Sequence, residues 1–155
     1  MSDYETDVLA WSAEQAGLLR RRAAGELVND AALDWPNIAE EIESVGNSER
    51  SALRSHIATV LEHLIKLHAS PAVEPRNGWK VSVLHARGGI RRALKGSPSL
   101  RREIAAMIAD ETPDVHQEVA GTLAVFGEQP VVAIETLTFT EEQVLGNWLP
   151  DDPPA

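Results

Sequence analysis

The sequence predicts an all-α fold: a four-helix bundle-like arrangement with one long second helix, a C-terminal extended segment and a short last helix. Three observations predict it. Apolar residues recur at helical spacing through most of the first 126 positions. Stop and start signals (Gly25, Asp34-Trp35-Pro36, Asn77, Ser97-Pro98) separate those runs. The connections are short, as between antiparallel neighbours. The 155 residues are read as one domain over 1–149, with a frayed, disordered tail at 150–155 rich in proline and aspartate.

Helix one is expected over 4–25. Tyr4, Val8, Trp11, Leu18 and Leu19 share one face, which also carries Gln15 and Arg22. Helix two is expected over 36–68, with Asp34 or Trp35 as its cap and Pro36 in the first turn, where a missing N–H costs nothing. Ile38, Ile42, Val45, Glu49, Ala52, His56, Val60, His63 and Leu67 advance by three or four, and the phase holds across Gly46-Asn47. At 1.5 Å per residue this helix spans roughly 50 Å.

Helix three, about 78–95 and capped by Asn77, presents Trp79, Val83, Ala86, Ile90 and Ala93 or Leu94 on its apolar face. Lys80, Arg87, Arg91 and Lys95 make an adjoining stripe, a candidate basic face. Gly88-Gly89 costs about 1 kcal/mol per glycine relative to alanine, so the pair marks a close backbone approach or a local bend. Helix four starts with Ser97 as cap and Pro98 at the first position, and presents Leu100, Ile104, Met107, Ile108, Val115, Val119 and Phe126. Pro113 predicts a kink, or a restart capped by Thr112. Residues 131–139 are β-branched but have no second strand to pair with, which favours an extended segment lying on the bundle. Thr140-x-x-Gln143 is a capping-box pattern that opens a short helix, and Trp148 and Leu149 are expected to dock it.

The chain has no cysteine, so it holds neither a disulfide nor a thiolate site. An acidic N-terminus and the lack of any long apolar run point to a cytoplasmic protein with no membrane partner. The net charge of −10 opposes nucleic-acid binding by the chain as a whole. That total conceals a pattern: residues 1–49 carry −8, residues 50–102 carry +9 and residues 103–155 carry −11. Either the acidic flanks pack against the basic middle, with Arg87 and Arg91 pairing with Glu40, Glu41 or Glu43, or the middle forms a basic face for an anionic partner. The first arrangement is the expectation.

Several residues carry a family resemblance. They are Tyr4, Asp7, Trp11, Gln15 and Leu19-Arg20; then Ile38-Ala39-Glu40-Glu41-Ile42-Glu43, Gly46 and Ser48-Glu49-Arg50. Leu61-Glu62-His63-Leu64-Ile65-Lys66, Trp79, Ile90-Arg91 and Pro98-Ser99-Leu100 continue it. The chain resembles the bacterial domain of unknown function numbered twenty-nine over nearly its whole length, departing from the pattern between Gly127 and Phe139. The resemblance implies a small all-α fold and a bacterial source. It implies no activity, and it carries no catalytic residue to this chain.

The polar residues inside the apolar seams are the candidate site: Gln15, Glu49, His56, His63 and Glu111. Buried ionisable groups must be paired or neutralised, so these either form a register-fixing polar layer or line an opening to solvent. No metal site is read from them. No histidine has an acidic residue three positions before it, and His56 and His63 lie about 10 Å apart along the axis. Arg50 to His56 has Arg-x5-His spacing, which resembles the motif of HEPN-type ribonucleases, but the two residues point about 120° apart. The favoured reading is a non-enzymatic protein-interaction or oligomerising module, a homo-oligomer without a cofactor, because helix two is longer than a domain of this size needs. The alternative is a metal- or phosphate-dependent hydrolase, such as a HEPN-like ribonuclease, using the polar seam.

Overall fold

The computed structural model describes residues 2–152. Among them are five α-helices, three short 3-10 segments and no strand, the all-α class that the periodicity predicts. The chain divides into two compact units, residues 1–48 and 49–155.

The first unit holds α1 (Val8–Ala23), a 3-10 turn (Asp30–Ala32) and the start of α2 (Trp35–Ala69). The first helix begins later than predicted because Asp7 is its cap, accepting from the amide of Ala10 at 2.9 Å. Residues 4–6 form a turn instead. The helix ends through Gly25, whose φ of +85° suits glycine alone. Its amide reaches the Arg22 carbonyl and the amide of Glu26 reaches that of Arg21, which together satisfy two end carbonyls. Trp11, Leu33 and Ile38 form this unit's core, with Tyr4 edge-on to Trp11 at 4.8 Å.

The second helix runs unbroken from Trp35 to Ala69, as its phase requires. Its apolar stripe is only partly covered. Ile38 is buried, yet Ile42 and Val45 are 69% and 67% exposed. Val8 on α1 is exposed too, against expectation. Periodicity says which residues share a face, and it does not say where the covering element ends.

The second unit comprises the rest of α2, α3 (Arg76–Gly96), a 3-10 segment (Pro98–Glu103), α4 (Ile104–Val125), a 3-10 turn (Ile134–Thr136) and α5 (Glu141–Leu145). Leu53, Ile57, Val60 and Leu64 of α2 pack with Val83 and Ile90 of α3 and with Ile104, Met107 and Val119 of α4. Three local expectations are corrected. Asn77 lies inside α3, which starts at Arg76 with no side-chain cap. Ser97 makes no side-chain cap either, and the chain winds as 3-10 helix before α4 begins. The α4 helix continues through Pro113 without a restart, and Thr112 does not cap; its hydroxyl donates to the Ile108 carbonyl at 2.6 Å. Phe126, placed on the buried face by spacing, is 75% exposed, and Leu123 fills that role.

Residues 131–139 form an irregular, extended segment rather than a strand. The Val131 amide donates to the Ala69 carbonyl, and His116 Nε2 donates to the Leu137 carbonyl at 2.7 Å. The capping box is present in full: Thr140 Oγ1 accepts from the Gln143 amide, and Gln143 Oε1 accepts from the Thr140 amide. Residues 150–152, the described part of the tail, have no regular structure. Asp152 bonds to Arg76 at 3.0 Å and to Lys80 at 2.8 Å. Residues 153–155 lie outside the described residues.

Candidate functional site

Gln15 is 3% exposed on the inner face of α1. Its Nε2 donates to the Ala32 carbonyl at 3.2 Å, and its Oε1 accepts from the Asp34 amide at 2.9 Å. Asp34 caps α2 through Asn37 and also accepts from the Trp11 indole at 3.1 Å. These bonds, that of the Asn37 side chain first, hold its carboxyl below the usual range against the opposing effect of burial. The Tyr4 hydroxyl donates to Glu41 at 2.6 Å, and that bond, with burial and neighbouring carboxylates behind it, pushes the phenol up to about 12. The polar groups of this unit are thereby engaged in joining α1 to the start of α2.

The four seam residues of the second unit make no hydrogen bond or ion pair with one another among the described residues. Glu49 is exposed. His56 is half-buried, with its ring against the backbone of Gly89. His63 is half-buried, and its Nδ1 donates to the Thr59 carbonyl one turn earlier at 2.8 Å. Glu111 accepts from Arg54 at 2.9 Å, while Asp110 takes another donor of the same guanidinium. Glu111 first, and then Asp110, push Arg54 above its ordinary value. Among the described residues no three histidine, aspartate or glutamate side chains are placed to hold a metal ion. A groove of about 380 Å³ beside Lys66, Trp79 and Phe126 is lined by none of the four. Neither is one of about 560 Å³ beside Thr112, His116 and Phe139.

The predicted basic stripe divides. Lys80 pairs with Asp152. Arg87 turns inward and is 1% exposed, donating to the carbonyls of Val144 (3.0 Å), Gln143 (2.6 Å) and Trp148 (2.6 Å). Its Nη1 is buried without a hydrogen-bond partner among the described residues. Burial, and then the nearby charge of Arg91, lowers its pKa. This buried guanidinium anchors α5 and the chain after it.

A family model described as "Domain of unknown function DUF29" matches residues 4–148. The chain belongs to that family. No curated protein and no solved structure matches it. The DUF29 match runs from Tyr4, the partner of Glu41, to Trp148, whose carbonyl Arg87 holds. It therefore spans both of those bonds.

Arg91 and Lys95 remain exposed, and the structure adds Arg92, Arg101 and Arg102, which spacing along helix three alone missed. All five are without an ion pair among the described residues, whereas Arg50, Arg54, Arg76 and Lys80 are paired with Glu103, Asp110, Glu111 and Asp152. The basic middle is thus partly neutralised by the acidic C-terminal flank, and its remaining charge gathers at the end of α3 and in the 3-10 segment. The signal was present in the sequence as the doublets Arg91-Arg92 and Arg101-Arg102, on either side of the Gly96-Ser97-Pro98 turn. Among the described residues no helix is long and apolar enough to cross a membrane.

Proposed function

We propose that this DUF29 protein is a non-enzymatic interaction module that associates with a second copy of itself. One observation carries the reading. The apolar stripe of α2 continues past Ile38 to Ile42 and Val45, where two large aliphatic side chains on one face stand open to water. Fully burying such a side chain is worth about 1.5–3 kcal/mol, so a face of this kind gains by meeting another. That His56, His63 and Glu111 each meet a different neighbour while Glu49 is exposed also supports a module over a hydrolase.

Light scattering at micromolar concentration tests this. The expected mass is at least twice that of the 16.9 kDa chain. Ile42→Asp with Val45→Asp is expected to return it to one chain while helical circular dichroism is kept. A wild-type protein that scatters as a monomer overturns the reading.

A further inference from the structure

Arg76, the first residue of α3, is buried and engaged at two of its three nitrogens. Its Nη1 donates to the Leu67 carbonyl at 2.9 Å, which satisfies an end carbonyl of α2 and fixes the guanidinium plane. Its Nε donates to Asp152 Oδ1 at 3.0 Å. Its Nη2, on the same edge of the planar fork as Nε, is buried without a hydrogen-bond partner among the described residues. Asp152 leaves it unserved, because the other carboxylate oxygen, Oδ2, accepts from Lys80 Nζ at 2.8 Å. A buried donor of a charged group loses its hydration without return when it stays unpaired, so this edge of the fork has room for a further acceptor.

The same residue lines a cavity of about 350 Å³ together with Leu67, His68, Pro71 and Val131. The carboxylates at this place are Asp151, on the cavity wall, and Asp152, on the two cations. Both belong to residues 150–152, which lie outside any helix. The Asp152 side chain is 57% exposed, whereas that of Arg76 is 5%. The cations are thus set in α3, and the anion that meets them is an exposed side chain on irregular chain. We infer that Arg76 and Lys80 form a binding site for a phosphate group, and that Asp152 is its internal occupant, displaced when a phosphate binds. The three acceptor oxygens of a phosphate match three donors, Arg76 Nε, Arg76 Nη2 and Lys80 Nζ, where the two oxygens of a carboxylate leave one unserved. Both cations stand in the first five residues of α3, the positive end of a 21-residue helix that has no side-chain cap, which favours an anion there. The cavity beside Arg76 holds a small organic group carried by the phosphate. The site lies wholly within the second unit and is independent of self-association.

Isothermal titration calorimetry on the full chain, in a buffer free of phosphate and sulfate, tests this with phenyl phosphate, inorganic phosphate and benzoate. Asp152→Ala opens the site, and circular dichroism shows that each variant is folded. The wild type is expected to bind phenyl phosphate about tenfold more weakly than Asp152→Ala, as for a site that its internal carboxylate leaves open about a tenth of the time. Asp152→Ala is expected to bind phenyl phosphate about tenfold more tightly than benzoate, which lacks the third oxygen. Adding Lys80→Ala to Asp152→Ala is expected to weaken binding by about tenfold, and adding Arg91→Gln with Arg92→Gln to leave it unchanged. Phenyl phosphate bound more tightly than inorganic phosphate assigns the site to a phosphate ester, and equal binding assigns it to the free ion; either supports the site. Failure of Asp152→Ala to bind either phosphate at millimolar concentration overturns the inference. So does equal binding of benzoate and phenyl phosphate, or binding that survives Lys80→Ala in full or is lost with Arg91 and Arg92. Wild-type affinity equal to that of Asp152→Ala also overturns it, since Asp152 is then no competitor.

Discussion

The imidazole of His56 occupies the space that a β-carbon on Gly89 would need; built there, that atom lies 2.5 Å from the ring's Cε1. A glycine that weakens an isolated helix is here the residue that lets α3 approach α2. Gly89→Ala is therefore expected to destabilise the protein by up to about 2 kcal/mol in urea denaturation, since crowding of about 1–3 kcal/mol is set against the roughly 1 kcal/mol gained in helix propensity. In a His56→Ala background the ring is gone and only the propensity gain remains. There Gly89→Ala is expected to be neutral or stabilising. An equal cost in both backgrounds would refute the contact.

Arg87 joins α3 to a segment 56–61 residues further along the chain through three backbone carbonyls. Arg87→Ala leaves those carbonyls without their donor and is expected to cost about 3 kcal/mol. Arg87→Lys does not restore it, because an ammonium lacks the planar fork that serves several acceptors at once. Limited chymotryptic digestion gives a local readout. Cleavage after Trp148 is expected to become fast in both variants before the rest of the chain is cut, and unchanged protection would count against the anchor.

Gln15 makes the equivalent junction in the first unit, bonding the Ala32 carbonyl and the Asp34 amide from a buried position. Gln15→Leu keeps the bulk but strands both backbone groups, at a cost of about 1–3 kcal/mol. Hydrogen exchange is expected to accelerate at residues 30–38 and to change little at the core of α4. Uniform acceleration would mean that Gln15 has no local role.

Legibility of this fold in the sequence follows the range of the interaction. The extent of α2, the stop at Gly25 and the Thr140–Gln143 box are local, and each is written in residues within a few positions of one another. Gly89 was readable as a close approach, because an interior helical glycine needs a reason. Arg87 was not readable. Its spacing sets it between the buried Ala86 and Ile90 and the exposed Arg91, and only the distant arrival of α5 makes that edge an interior one. The same holds for Asp152, whose pairing with Arg76 and Lys80 spans more than 70 residues. Ile42, Val45 and Phe126 share a third cause: helical phase assigns a face, and tertiary structure decides whether anything covers it.

His68 supplies a pH test. Its half-buried ring lies 5.9 Å from Trp148 and 5.7 Å from Phe139, and burial, followed by the charge of Arg76, lowers its pKa below the usual 6.5. Between 6.5 and the lower folded value the unfolded chain binds a proton that the folded chain does not. Stability therefore rises with pH across that window and falls on acidification from neutrality. Asp152 is also shifted down, by Lys80 first and then Arg76, so its stabilising contribution is retained until the pH drops below the ordinary 3.8. The two effects separate on the pH axis. The melting temperature of the wild type is expected to fall between pH 7 and 5, and that of His68→Gln, which cannot titrate, to fall less. The other four histidines contribute equally to both proteins, so identical slopes would show that the ring at residue 68 is as free to take a proton in the folded chain as in the unfolded one.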